Sequence, residues 1–358
     1  MLFTSLAVLA GAGGVTPRSL SAEDLGLTLL EAVDTALKEN LSIRSDQYGI
    51  SISESVVMAE EGAFDPFFRI EVTNEDTEVE SASTLTATEE DVLRGDAVFG
   101  GRLRTGGTYE LKLSNENVDS NLGFLLENPY YRSELTVSFT QPILKGVGRS
   151  VQESRLDVAR NNLQIARLQL SATAVDVVAE TMKAYWELHF AIDNLEVVKL
   201  SLELAWSLLD EVRARISAGE MASIEIYQAE AEVALRQGNV ILARKALEDS
   251  EDRLKAAMGL IGWGAGIRPV TDPPPPLDPP PLDLAMRAAF ENRKDYLQAR
   301  LEARNKGILK RYYGNQKRSE LDVIAATGIN GVDGQYNEAL SEMLEADSLS
   351  WQVGLLYT

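Results

Sequence analysis

The 358-residue sequence contains no cysteine and a single histidine, His189. Disulfides, thiolate metal centres, thiol catalysis and a lipid-modified N-terminal cysteine are therefore excluded, as are a histidine-rich metal site and a paired-histidine mechanism. Basic residues are scarce: 34 Lys and Arg stand against 55 Asp and Glu, a net charge of −21. Nucleic acid needs clustered Lys and Arg to meet its phosphates, so no nucleic-acid partner is expected. Also missing is the run of about 18 apolar residues that a membrane-spanning helix requires. That absence leaves a spanning sheet open. No nucleophile stands beside a base and no metal ligands cluster, so no enzyme, cofactor or metal is expected.

What is present is apolar enough, at 45%, to fold. Residues 2–15, LFTSLAVLAGAGGV, have the apolar core of a secretory signal, with Ala10-Gly11-Ala12 as a cleavage site, although no Lys or Arg precedes Arg18. Residues 1–26 are thus assigned to a signal peptide and N-terminal tail. Thr28-Leu29-Leu30-Glu31 forms a capping box that opens one helix over 27–63, ending near Gly62 before Asp65-Pro66. The period then changes to two. Residues 67–72, 101–114 and 133–141 alternate as strands do, with Thr105-Gly106-Gly107-Thr108 as a hairpin turn. The polar, acidic stretches 74–96 and 115–130 predict exposed loops. The whole strand region covers 64–142.

At Gln141-Pro142 the alternation stops. Ser150-Val151-Gln152-Glu153 is a second capping box, and apolar residues from Leu156 to Ile216 recur at three-four spacing with a stutter near Leu170. This predicts a coiled-coil helix roughly 100 Å long at 1.5 Å per residue. It turns at Gly219, and a second helix carries Ile226, Ala229, Val233, Val240, Ala243, Leu247, Leu254 and Ala257 to a stop at Gly259. The helical hairpin covers 143–262. Gly262-Trp263-Gly264-Ala265-Gly266 is a loop rather than a nucleotide cradle, since no strand precedes it and no helix follows. DPPPPLDPPPLD (272–283) forbids helix and predicts an extended strap over 263–281.

The two sides of that strap repeat. LLEAVDTALKENLSIR (29–44) aligns without gaps on LDLAMRAAFENRKDYL (282–297), and the same offset places Phe68 and Ile70 on Leu321 and Val323. LTVSFT (135–140) resembles VGLLYT (353–358). A second helix over 282–318 and further strands over 319–358 follow. The first repeat continues from this point into Gln141-Pro142 and the long hairpin, so a truncated second repeat is expected.

TLLEAVDTALKEN, FTQPILKG and the pattern of Arg215, Gly219, Glu225, Ile226 and Ala229 together resemble the TolC-type outer membrane efflux proteins, over about residues 27–358. The order of helix, strands, Gln-Pro, long heptad hairpin, strap and repeat carries the resemblance more than any single motif. It implies an α+β membrane protein and a homotrimer. Antiparallel strands from each copy would join one shared β-barrel in outer-membrane lipid, and the coiled-coil hairpins would form a periplasmic α-barrel. It further implies a passive exit duct of a tripartite efflux or type I secretion system. Such a duct docks a periplasmic adaptor (membrane fusion) protein and is fed by an inner-membrane pump or ABC transporter. The turn would be the docking tip: Arg215, Ala218, Gly219, Glu220, Met221, Ala222, Ser223 and Glu225, with small residues that let another helix pair seat in the grooves. The family commonly has Asp where this chain has Glu225, which keeps the charge and adds a methylene. The region 74–131 departs from the family pattern by an extra hairpin between two expected strands, placed either in the barrel wall or in an external loop. Taken from the residues alone, a non-transport coiled-coil scaffold or surface adhesin with a β-rich head remains the alternative.

Overall fold

The structure is a computed structural model that describes residues 25–80, 86–260, 264, 266–275 and 278–358. The signal-like stretch and most of the 262–266 loop fall outside the described residues. The chain divides into two compact units: residues up to Gln47 with Leu170–Ala285, and Tyr48–Gln169 with Met286–Thr358. No helix among the described residues is long and apolar enough to cross a membrane.

The first unit is helical. It contains β1 (Leu25–Leu27), α1 (Leu29–Glu39), the start of α2 (Leu41–Gly62), most of α4 (Ser154–Ser217), α5 (Glu225–Ala257) and β6 (Ile267–Pro269). The Thr28 capping box forms: Thr28 Oγ1 accepts from Glu31 N at 3.2 Å, and Thr28 N donates to Glu31 Oε2 at 2.9 Å. That backbone bond also holds the Glu31 carboxyl below its ordinary value. α1 and α2 pack Ala32, Ala36 and Ile43 against Val177, Ala184, Tyr185 and Leu188 of α4 and Leu254 and Ala257 of α5. Ala205 and Leu209 of α4 meet Ala229 and Val233 of α5 in a second cluster. The three-four seam is thus a real contact surface. Each of its positions from Leu156 to Ile216 is buried or half-buried. By helix rise, the 64 residues of α4 extend about 96 Å.

The second unit is built on a six-stranded antiparallel sheet of β2 (Phe67–Glu78), β3 (Glu89–Arg102), β4 (Thr108–Ser120), β5 (Tyr130–Pro142), β7 (Leu321–Asp333) and β8 (Leu349–Tyr357). The spatial order is β2-β3-β4-β5-β7-β8. It also holds most of α6 (Leu282–Asn292), α7 (Lys294–Gln316) and the start of α4. Asn161 and Asn162 of α4 meet Asn305 of α7: Asn161 Nδ2 donates to Asn305 Oδ1 at 2.7 Å, and Asn305 Nδ2 to Asn162 Oδ1 at 2.9 Å.

Several expectations are corrected. The helix over 27–63 is two helices, broken at Asn40, whose backbone is extended (φ −63°, ψ 127°). Its side chain makes the break, accepting from Ser42 N at 2.9 Å and donating to Ala257 O at 3.0 Å. The second-repeat helix breaks at Arg293 (φ −64°, ψ 119°), the residue that the ungapped alignment places on Asn40. The Ser150 capping box does not form. Gly148 (φ 94°) precedes a four-residue helix α3 (Arg149–Gln152) without a side-chain cap, and α4 begins at Ser154, whose Oγ donates to Val151 O at 2.7 Å.

The acidic stretches expected as loops are largely strand: 74–78 and 89–96 pair along β2 and β3, and 115–120 lengthens β4. Leu25 and Gly26, grouped with the tail, pair in parallel with Ile267 and Arg268, which were assigned to the strap. The segment 319–358, expected as strands only, contains helix α8 (Tyr336–Glu345) between β7 and β8. α8 buries Ala339 and Met343 against the sheet. It comes so close to Gly331 that a Cβ there would collide with the Ala339 carbonyl.

Candidate functional site: the hairpin turn and the two-faced sheet

α4 ends in a Schellman turn. Gly219 is left-handed (φ 78°), its N–H donates to Ile216 O at 3.0 Å, and Glu220 N donates to Arg215 O at 2.9 Å. Nothing lies within 4 Å of where a Gly219 side chain would start. The backbone angle alone therefore requires glycine, while the space beside it is open. Arg215 pairs with Glu211, and Arg213 reaches across to Glu230 on α5 at 3.4 Å. Glu225 opens α5, where its carboxylate complements the positive end of the helix; an acid here suits the helix whether Asp or Glu.

The turn brings all eight expected residues together. Arg215, Ala218, Gly219, Glu220, Ala222, Ser223 and Glu225 are exposed, and Met221 is half-buried. Two neighbours were missed: Ile224 and Tyr227 are 73% and 71% exposed. Their signal was available, since both are large and apolar yet fall off the Ile226-Ala229-Val233 seam.

The sheet separates its chemistry by face. The strands pair residue for residue without a bulge, so each cross-strand row lies on one side. One row reads Phe68, Phe99, Leu111, Val137, Thr327, Trp351; the next on that side reads Ile70, Ala97, Leu113, Leu135, Ile329, Leu349. On β8 this face continues through Val353, Leu355 and Tyr357, all exposed. The row next to the second of these rows, Glu71, Asp96, Ser114, Glu134 and Asn330, is polar and lies on the opposite side. There Lys112 Nζ meets Asp96 Oδ2 at 2.9 Å and Arg94 Nε meets Glu116 Oε1 at 2.7 Å. Large apolar side chains exposed on this face of β2, β3, β4, β5 and β8 are costly in water and favourable against lipid, while the ion pairs suit a wet face.

Where β5 gives way to helix, Glu153 sits nearly buried between two arginines, with Arg104 Nη1 at 2.6 Å and Arg149 Nε at 2.7 Å. The hydrogen bond from Arg149, with Arg104 beside it, holds the Glu153 carboxyl below its usual value despite burial. In the helical unit, Tyr185 is fully buried, and its hydroxyl ties three backbone groups: it donates to Leu27 O at 2.9 Å and accepts from Val270 N at 3.1 Å and Thr271 N at 3.0 Å. His189 faces Asp193 at 3.2 Å and lies beside the Trp186 ring.

Long antiparallel helices with a two-faced antiparallel sheet define the class: the fold is that of the TolC-like outer membrane channels. Residues 104–260 match the family model described as outer membrane efflux protein. The chain is similar to outer membrane protein TolC of Vibrio cholerae serotype O1, at 28% identity over 104 residues, which is 29% of this chain and 24% of that protein. Among solved structures it resembles CusC (TM-score 0.60, 11% identity, 94% of this chain and 66% of that one) and the outer-membrane channel OprN (TM-score 0.63, 13% identity, 92% and 63%). The chain therefore spans less than two thirds of each of these relatives. The family and these structural neighbours are channels, not enzymes.

Proposed function

We propose that the chain forms the outer-membrane exit duct of a tripartite efflux or type I secretion assembly, acting as a homotrimer. The observation that carries this reading is the sheet: apolar on one face across all six strands and polar, with ion pairs, on the other. Lipid covers the first face and the passing solute's water wets the second. A second apolar stripe on the helices supports association of copies: Val197, Leu200, Leu204 and Leu208 of α4, with Leu235 and Leu242 of α5, are all more than half exposed although α4 and α5 already share a seam. The duct catalyses nothing; an inner-membrane pump or ABC transporter supplies the energy. The turn at Gly219 receives the helical hairpin of a periplasmic adaptor, with Ala218, Ala222 and Ser223 giving close approach and Ile224 and Tyr227 giving apolar anchors.

The test is fractionation followed by site-directed cross-linking. The protein should sit in the outer membrane and run as a trimer by native mass. In a chain with no other thiol, Ser223→Cys carrying a short photo-cross-linker should capture one periplasmic adaptor in intact cells. A soluble periplasmic monomer would overturn the duct, and a trimer whose Ser223 captures no adaptor would overturn the docking role.

A further inference from the structure

The extra hairpin of the strand region can be assigned. The repeat places β2 on β7, and LTVSFT on VGLLYT places β5 on β8, so β3 and β4 are the strands with no counterpart in the second repeat. They do not form an appendage. β3 pairs with β2 from Phe67↔Gly100 to Glu78↔Glu89, and β4 pairs with β5 from Thr108↔Thr140 to Val118↔Tyr130. Their Phe99 and Leu111 continue the apolar face and their Asp96 and Lys112 the polar one. An external loop would leave Phe99 and Leu111, both at least 40% exposed, in water.

Among the described residues the sheet has two edge strands, β2 and β8. Both have large apolar side chains on the same face of the sheet, and unpaired backbone groups at such an edge are costly in hydrocarbon. Six alternating strands leave β2 and β8 antiparallel, so a second copy can continue the ladder without reversing direction.

Resting on the duct reading above, we infer that all six strands of each copy stand in the barrel wall, with β8 of one copy hydrogen-bonded to β2 of the next. Three copies then make a barrel of eighteen strands. With strands about 4.8 Å apart and tilted about 40°, its backbone diameter is about 36 Å, against about 24 Å if β3 and β4 were left out. A barrel of that size holds an open aqueous lumen rather than one filled by side chains.

Cysteine pairs test this in a chain that has none of its own. Ile70→Cys or Val72→Cys on β2 is combined with Val353→Cys or Leu355→Cys on β8, all on the apolar face, and oxidised in outer-membrane fractions. At least one combination should give a ladder of dimer and trimer on denaturing gels. Ile70→Cys with Leu135→Cys should stay unlinked, because β3 and β4 hold β2 and β5 about 14 Å apart, beyond the roughly 7 Å reach of a disulfide. An intramolecular Ile70–Leu135 link would put β3 and β4 outside the wall and overturn the inference while the duct stands. A native trimer with no β2–β8 link in any combination would overturn it as well.

Discussion

Two glycines end long helices by the same hydrogen-bond pattern yet tolerate change differently. Gly219 and Gly259 are both left-handed, at φ 78° and 75°. A Cβ on Gly219 meets nothing, whereas one on Gly259 would come within 2.6 Å of the Glu39 carbonyl oxygen. Gly219→Ala should therefore cost about 1 kcal/mol, the ordinary penalty of a left-handed L-residue. Gly259→Ala should cost clearly more, because the α1–α2 junction must also move. Thermal unfolding of the two variants in detergent compares them directly.

Glu153 gives the pH dependence at this scale. Its folded-state value is depressed, so its contribution is fully present above the unfolded value of 4.5 and is lost as pH falls through the lower folded value. Glu153→Gln should lower stability by about 1–2 kcal/mol near neutrality, the exposed arginines being partly screened. Wild type and variant should converge as the pH drops below 4.5. A constant gap down to acid pH would show that the clamp contributes nothing.

At the level of elements, Tyr185 and α8 are the joints to probe. Tyr185→Phe keeps the packing but removes the hydroxyl; Val270 N still donates to Leu27 O at 3.1 Å, so the loss falls mainly on Thr271 N and amounts to about 1–3 kcal/mol. Differential melting of the intact protein measures it. Gly331→Leu should lift α8 from the sheet, exposing the α8 segment to limited proteolysis while β7 and β8 stay paired. What was legible in the sequence follows the same division. The α4–α5 seam could be read because one stripe is apolar and its surroundings are not. The breaks at Asn40 and Arg293 could not, since neither Pro nor Gly marks them and a side-chain hydrogen bond makes the first. The strand ends at 74–78, 89–96 and 115–120 were hidden for a different reason. At these strand ends polar residues fall on both faces, so the alternation that reveals a strand is lost. α8 lay in a stretch expected to be all strand, and only its contact with Gly331 explains why that glycine is there. The eight residues expected at the turn lie together, whereas Ile224 and Tyr227 carry no small-residue signal and stand exposed beside them.

For the molecule as a whole, the two faces of the sheet set opposite tolerances on adjacent residues. Val353 faces the apolar side and Gln352 the polar side. Val353→Arg should reduce insertion by the equivalent of about 2–4 kcal/mol if it lies near the bilayer midplane, whereas Gln352→Arg should assemble nearly as well as wild type. Quantifying folded protein in outer-membrane fractions distinguishes them. The claim beneath all of this is that one chain supplies an incomplete wall and only several copies make a conduit. Electron microscopy of the protein extracted from outer membranes into nanodiscs tests that most directly. A three-fold particle with an open axial lumen bounded by strands is the predicted result. A single-copy particle, or a three-fold one with no axial opening, would contradict the account.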